Sequence, residues 1–201
     1  MSDNTAVRSG GQVLVDALRV NGVERAFCVP GESYLAVLDA LHDVQDDIEL
    51  IVCRQEGGAA YMAEAYGKLT GKPGICMVTR GPGATNASVG VHTAFQDSTP
   101  MILFIGQVAR DQIEREAFQE VDYRRMFGQM AKWVVQIDDA ARIPELVNQA
   151  FQRAISGRPG PVVVALPEDM LTDLVEVADA RPAQRVEAAP APAALTELQA
   201  L

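Results

Sequence analysis

Glu56 is the residue with the clearest chemical potential. In "VCRQEGGAAYMAEAYGKLTG", residues 52–71, it falls between an apolar run and a glycine–alanine stretch that opens a helical pattern. An acid in a first helical turn is stabilised by the helix dipole, by about 0.3–1 kcal/mol, which is one sufficient reason for it to be there. Gly57, Gly58, Ala59 and Ala60 point further. They are poor choices for a merely stable helix start but good ones where a planar ring or another backbone must come close. A carboxyl enclosed by small apolar residues loses hydration and is suited to proton exchange.

Two other loops hold candidate chemistry. "TRGPGATN", residues 79–86, sets Gly81 and Gly83 as G-x-G between a strand pattern and a helix pattern. A dinucleotide fingerprint needs a third glycine where Asn86 stands, and no acid is placed to hold a ribose. No GxxxxGK[ST] phosphate loop occurs either. A tight turn fixed by Pro82 accounts for the segment without any ligand. "VPGES", residues 29–33, is the third such loop. His42 and His92 have no nucleophile or metal partner in sequence, and surface or packing roles are expected for both. Trp133 begins a strand, where core packing is expected, and Phe118-Gln119-Glu120 lies in an irregular stretch.

These loops are positioned by a repeating alternation. Val13, Leu14, Ala17 and Leu18 predict an amphipathic helix over 10–21 ended by Gly22, and Tyr34, Val37, Leu38 and Leu41 mark a second. "RAFCV", "IELIVC", "GICMVT", "MILFI", "KWVVQI" and "PVVVAL" are short apolar runs between helices, with a further helix expected over 84–97. Asp138 and Asp139 can cap a helix striped by Ile143, Leu146, Val147, Ala150, Ala154 and Ile155 and ended by Gly157. The pattern predicts a three-layer α/β/α fold with a mainly parallel sheet of about six strands. In such a sheet ligands sit at the carboxyl ends of the strands, where all three loops fall.

The chain of 201 residues supports one core plus a tail, and its 48% hydrophobic and 22% charged residues fit a globular protein. A net charge of −10 without any Lys/Arg cluster disfavours nucleic acid and anionic membranes. The opening "MSDNTAVRSGGQ" lacks the apolar region of a signal peptide, and no apolar run reaches bilayer length, so a cytoplasmic location is expected. Cys28, Cys53 and Cys76 sit in strand-like runs without a CxxC pair, which predicts buried reduced thiols and no metal site. Residues 1–177 are expected to form the domain. Residues 178–201, rich in alanine and proline, are expected to be an extended linker whose last residues begin another helix.

Read together, "GVERAFCVPG", "RQEGGAAYMAEAYGKLTGKPGIC", "GPGATN", "DSTPMILFIGQV", "AFQE" and "SGRPGPVVVALPED" resemble, in that order, the N-terminal pyrimidine-binding domain of thiamine diphosphate-dependent enzymes of the acetolactate synthase group. The resemblance covers residues from about Gly10 to Leu171. It implies that Glu56 hydrogen-bonds N1′ of the cofactor's aminopyrimidine and so promotes removal of the thiazolium C2 proton. It also implies that Pro30, Gly31, Pro82, Gly83 and Asn86 line the aminopyrimidine pocket, that Phe118 and Gln119 face the substrate, and that Arg158 touches FAD in members that carry it. The implied activity is a 2-oxo acid carboligase that decarboxylates pyruvate and transfers the two-carbon unit. Alternatives are a decarboxylase, oxidase or lyase on another 2-oxo acid or acyl substrate, and a non-catalytic assembly module.

Two positions depart from that pattern. Glu32 stands where the synthases usually have a second glycine after Pro-Gly, and Arg80 where they usually have serine. The adjacent histidine pair of many pyruvate-type decarboxylases is missing, which favours a carboligase. The family holds the cofactor's diphosphate through Mg2+, with a Gly-Asp-Gly motif and a later asparagine, and no glycine here is followed by aspartate. The chain is therefore expected to be the front part of a longer enzyme, inactive alone, that forms a homodimer or tetramer with the cofactor at the subunit interface.

Overall fold

A computed structural model describes residues 6–201. The first five residues of the expected domain lie outside the described residues. Six of the strands form one parallel sheet in the order β3-β2-β4-β5-β7-β6: β2 (Arg25–Cys28), β3 (Glu49–Val52), β4 (Gly74–Val78), β5 (Met101–Gln107), β6 (Trp133–Gln136) and β7 (Pro161–Pro167). The central strands β4, β5 and β7 are buried along their whole length, as strands covered on both faces must be. The expected three-layer α/β/α architecture is the one observed.

The two helical layers differ in composition. On one face, α1 (Gly10–Val20), α2 (Leu35–Asp43) and α6 (Ile143–Ile155) pack with Val13, Leu14, Leu18, Val37, Leu41, Leu146 and Phe151 against the sheet. On the other, α3 (Glu56–Thr70), α4 (Gly81–Gln96) and the short α5 (Tyr123–Phe127) pack largely with alanine: Ala59, Ala60, Ala63, Ala84, Ala87 and Ala94. Small residues let α3 and α4 run against each other. A Cβ on Gly90 would stand 2.5 Å from the Ala60 Cβ and 2.8 Å from its carbonyl carbon.

The expected helix over 84–97 starts three residues earlier. Gly81, Pro82 and Gly83 are its first turn rather than a separate tight turn. A proline is tolerated there because its missing N–H has no partner in the first turn, and its fixed φ suits a helix. Gly22 and Gly157 follow α1 and α6 with φ of 71° and 61°, in the left-handed region that stops a helix. Asp139 caps, but its carboxylate accepts from Ala141 N at the 3-10 turn (Ala140–Arg142) that leads into α6.

Two short strands, β1 (Val7–Ser9) and β8 (Leu174–Glu176), pair antiparallel beside the main sheet and were not expected. The tail beyond them also departs from a plain extended segment. Arg8 donates to the Val177 carbonyl and to Asp179, Asn148 donates to the Arg181 carbonyl, Asn21 accepts from Ala183 N, and Gln152 donates to the Gln184 carbonyl. Ala183 packs on the core. Residues 177–184 are thus strapped across α1 and α6, whereas α7 (Pro192–Gln199) is exposed throughout.

Candidate functional site

The strand order creates a crevice. From β2 the chain passes through α2 to β3 on one side, and from β4 through α4 to β5 on the other. The loops after the neighbours β2 and β4 therefore diverge to opposite faces, and a ligand site is expected at such a switch point. Gly31, after β2, closes on Thr79, after β4: a Cβ on Gly31 would lie 2.5 Å from the Thr79 Cβ. Its φ of −154° is ordinary extended backbone, so the glycine is there for space. Ser33 Oγ and Thr79 Oγ1 share a hydrogen bond of 2.9 Å, and the Tyr34 hydroxyl donates to the Val29 carbonyl at 2.5 Å. Burial pushes the Tyr34 hydroxyl well up, and it pushes the Cys28 thiol up to about 11 and the Cys76 thiol further, so the floor of this edge is neutral.

Glu56 is the first residue of α3 and is half-buried. Gln55 caps the helix, its side-chain oxygen accepting from Gly58 N at 2.8 Å. Asn86, one turn into α4, donates through Nδ2 to Glu56 Oε2 at 2.9 Å. Oε1 has no protein donor among the described residues, and a Cβ on Gly83 would lie 3.6 Å from it. The carboxylate thus sits where two helix N-termini meet, with one oxygen fixed and the other open. That donor set fits an aminopyrimidine: one oxygen can meet a ring nitrogen while the other is held in place. The glycine–alanine run after Glu56 serves the approach of α4 first, since Gly57, Ala59 and Ala60 are buried, and only Gly58 stays open.

The other expected site residues fall in two groups. Pro30 and Pro82 are exposed at the same edge as Glu56, beside Gly31 and Gly83. Gln119 joins them: its carbonyl accepts from Gly81 N at 2.9 Å, and its own φ is 66°. A left-handed backbone at a residue other than glycine is strained, and Glu114 and Glu116 share it, with the loop pinned by Glu120 accepting from Glu114 N and Ala117 N. Phe118 is 73% exposed. Arg158 is not part of this group. It precedes β7 at the opposite, amino edge, where it donates to Ser98 Oγ at 2.7 Å and to the Gln96 carbonyl at 3.2 Å.

Sequence reasoning missed three contributors here: the Gln55 cap, the Ser33–Thr79 bridge, and the ion pairs of Arg80 with Glu32 and Glu168. The only signal available was that Glu32 and Arg80 both break the family's pattern. His42 and His92 are exposed, as expected. Cys28 and Cys76 are buried, and Cys53 is half-buried. Trp133 is half-buried on the edge strand with Arg153 stacked 4.6 Å from its ring centre, a more exposed setting than core packing. Among the described residues there is no group of three His, Cys, Asp or Glu able to hold a metal ion, and no helix is long and apolar enough to cross a membrane.

A family model described as "Thiamine pyrophosphate enzyme, N-terminal TPP binding domain" matches residues 8–126. The acetolactate synthase large subunit of Lactococcus lactis is 42% identical over 172 residues, covering 85% of this chain and 30% of the relative. The mitochondrial acetolactate synthase catalytic subunit of Aspergillus candidus is 40% identical over 168 residues, covering 84% and 24%. The acetolactate synthase isozyme 3 large subunit of Escherichia coli is 42% identical over 163 residues, covering 81% and 28%. The chain thus spans between 24% and 30% of the length of these curated relatives.

Proposed function

This chain belongs to the thiamine pyrophosphate enzymes, carrying their N-terminal TPP binding domain, and on that premise we propose that it is the N-terminal segment of a 2-oxo acid carboligase of acetolactate synthase type. The observation that carries the reading is the Glu56 carboxylate, fixed through one oxygen by Asn86 and open through the other. When bound, thiamine diphosphate would supply a nucleophilic carbon and an electron sink for the decarboxylation of a 2-oxo acid. Glu56 exchanges a proton with the ring nitrogen N1′. Asn86 confines that exchange to one oxygen, Gly31 lets the loop after β2 close on Thr79 as one wall of the pocket, and Gly83, beside Oε1, leaves the ring room to approach. Pro30 and Pro82 flank the ring, while Phe118 and Gln119 face the substrate.

The diphosphate and Mg2+ are held by residues outside this chain in the same proposal. A homodimer or tetramer completes the site: Tyr61, Met62 and Val89 on the outer sides of α3 and α4 are 44%, 40% and 43% exposed, an apolar surface next to Glu56 suited to a second subunit. Residues 1–177 act as the pyrimidine-binding domain, and 178–201 lead into a central domain. Arg158 would contact FAD only where the flavin reaches the amino edge. A cytoplasmic location goes with this reading. The test is product analysis: the full-length protein with pyruvate, thiamine diphosphate and Mg2+ should release CO2 and form acetolactate. Acetaldehyde as the main product would overturn the carboligase assignment.

A further inference from the structure

Arg80 breaks two local rules. It stands at the N-cap of α4 without making a cap bond, where a cation opposes the helix dipole, and it is only 7% exposed. Burying a guanidinium is strongly unfavourable unless it is paired. The compensation comes from two other loops. Nη1 donates to Glu32 Oε1 at 3.1 Å, after β2, and Nη2 donates to the Glu168 carboxylate, after β7. Nε is buried without a hydrogen-bond partner among the described residues.

Each arm of this cluster adjoins the pocket assigned above. Glu32 follows Gly31. Arg80 precedes Gly81, whose N–H holds the Gln119 carbonyl. Glu168 N donates to the Gln107 carbonyl at 3.1 Å, at the end of β5. The guanidinium therefore ties together loops that the topology sends to different faces of the sheet. The two carboxylates differ in setting: the Glu32 side chain is 68% exposed and that of Glu168 39%.

We propose that Arg80 is a positioning residue, whose clasp on Glu32 and Glu168 holds the Pro30–Gly31 wall and the Pro82–Asn86 wall of the pocket in one arrangement before any ligand arrives. The proposal rests on the pocket assignment made under Proposed function. Lysine is a poor substitute because it offers a point charge rather than a fork that spans two carboxylates. Loss of Arg80 leaves Glu32 and Glu168 unpaired at one edge, so removing the Glu32 charge as well should relieve part of the damage.

The test uses the full-length protein and its R80M, R80K, E32Q and R80M/E32Q variants. Three quantities are read: the dissociation constant for thiamine diphosphate, the thermal midpoint, and hydrogen exchange of the amides of Gly31 to Ser33 and Gly81 to Ala84. R80M should weaken cofactor binding at least tenfold and speed exchange in both loops. E32Q, which keeps an acceptor oxygen for Nη1 but loosens the Pro30–Gly31 arm, should weaken binding less than R80M does, R80K should fall between the unmutated protein and R80M, and the double variant should be less impaired than R80M. A lower midpoint with unchanged cofactor binding in the folded R80M protein would make Arg80 merely structural and overturn the proposal. If the unmutated protein binds no thiamine diphosphate, the functional reading fails on its own. Loop exchange then still decides the clasp: at least tenfold faster exchange in R80M supports it, and unchanged exchange overturns it.

Discussion

The two helical faces of the sheet solve different problems. The face of α1, α2 and α6 is filled with large aliphatic side chains and closed over by the strap at residues 177–184. The face of α3 and α4 is built from alanine and glycine, brings two backbones together, and leaves Tyr61, Met62, Leu69 and Val89 exposed. One face gains stability by burying volume. The other gives up that volume to place Glu56 against Asn86 and to present an open surface. The same sheet thus carries the larger helix side chains on one side and, on the other, the two close-packed helices that bring Glu56 to Asn86.

Core substitutions should break this contrast in opposite directions. Leu14→Ala on the first face leaves a cavity under a fully buried side chain and should cost about 3 kcal/mol in denaturant unfolding. On the second face the harm comes from adding atoms. Gly90→Ala drives a methyl into the Ala60 backbone and should cost about 2 kcal/mol, with a loss of cofactor affinity that Leu14→Ala does not show. Equal cofactor affinity in both variants would remove the functional side of the comparison.

Smaller effects sharpen it. Asn86→Ala frees the Glu56 carboxylate and should lower turnover of the full-length enzyme about tenfold, corresponding to about 1.4 kcal/mol, while hardly moving the thermal midpoint because Asn86 is exposed. Alkali should weaken both faces together. Cys28 packs on the first and Cys76 on the second, and burial holds both thiols neutral, with Cys28 raised to about 11. A thiol raised on folding stabilises fully below its unfolded value of about 8.5 and loses that contribution as pH climbs toward its folded value. The thermal midpoint should therefore fall between about pH 8.5 and 11, and Cys28→Ala should flatten part of that fall. The smallest effect belongs to the strap. The Asn148→Ala/Gln152→Ala pair removes two exposed tethers, should cost under about 1 kcal/mol, and should speed protease cleavage within residues 178–190.

Much of the fold is legible in the sequence because burial leaves a periodic trace. "MILFI" and "PVVVAL" are too short for buried helices and read as strands covered on both faces, and the stripe from Ile143 to Ala154 shows one buried side of α6. The β1–β8 ribbon leaves no such trace: each strand is three residues long, and the pairing joins positions at opposite ends of the domain. The strap is equally hidden, since most of its ties run through backbone groups and composition says nothing of those. At the candidate site, Glu56 stands out because acid followed by glycine and alanine is an uneconomical helix start. What it touches does not, because the Asn86 contact crosses 30 positions and depends on how closely α3 meets α4. Arg80 was visible only as an anomaly, and its partners appear once three loops are brought together. Sequence order does hold the clue for Arg158: it precedes a strand of a parallel sheet and so lies at the amino edge, away from Glu56.

The central claim is that Glu56 moves a proton on the bound cofactor. The most direct measurement is deuterium exchange at C2 of thiamine diphosphate bound to the full-length protein, compared with Glu56→Gln. The account predicts that the variant still binds the cofactor within about tenfold, while C2 exchange and turnover each fall about 100-fold or more. Unchanged C2 exchange in a variant that retains the cofactor would contradict it and return Glu56 to the role of a helix-start acid.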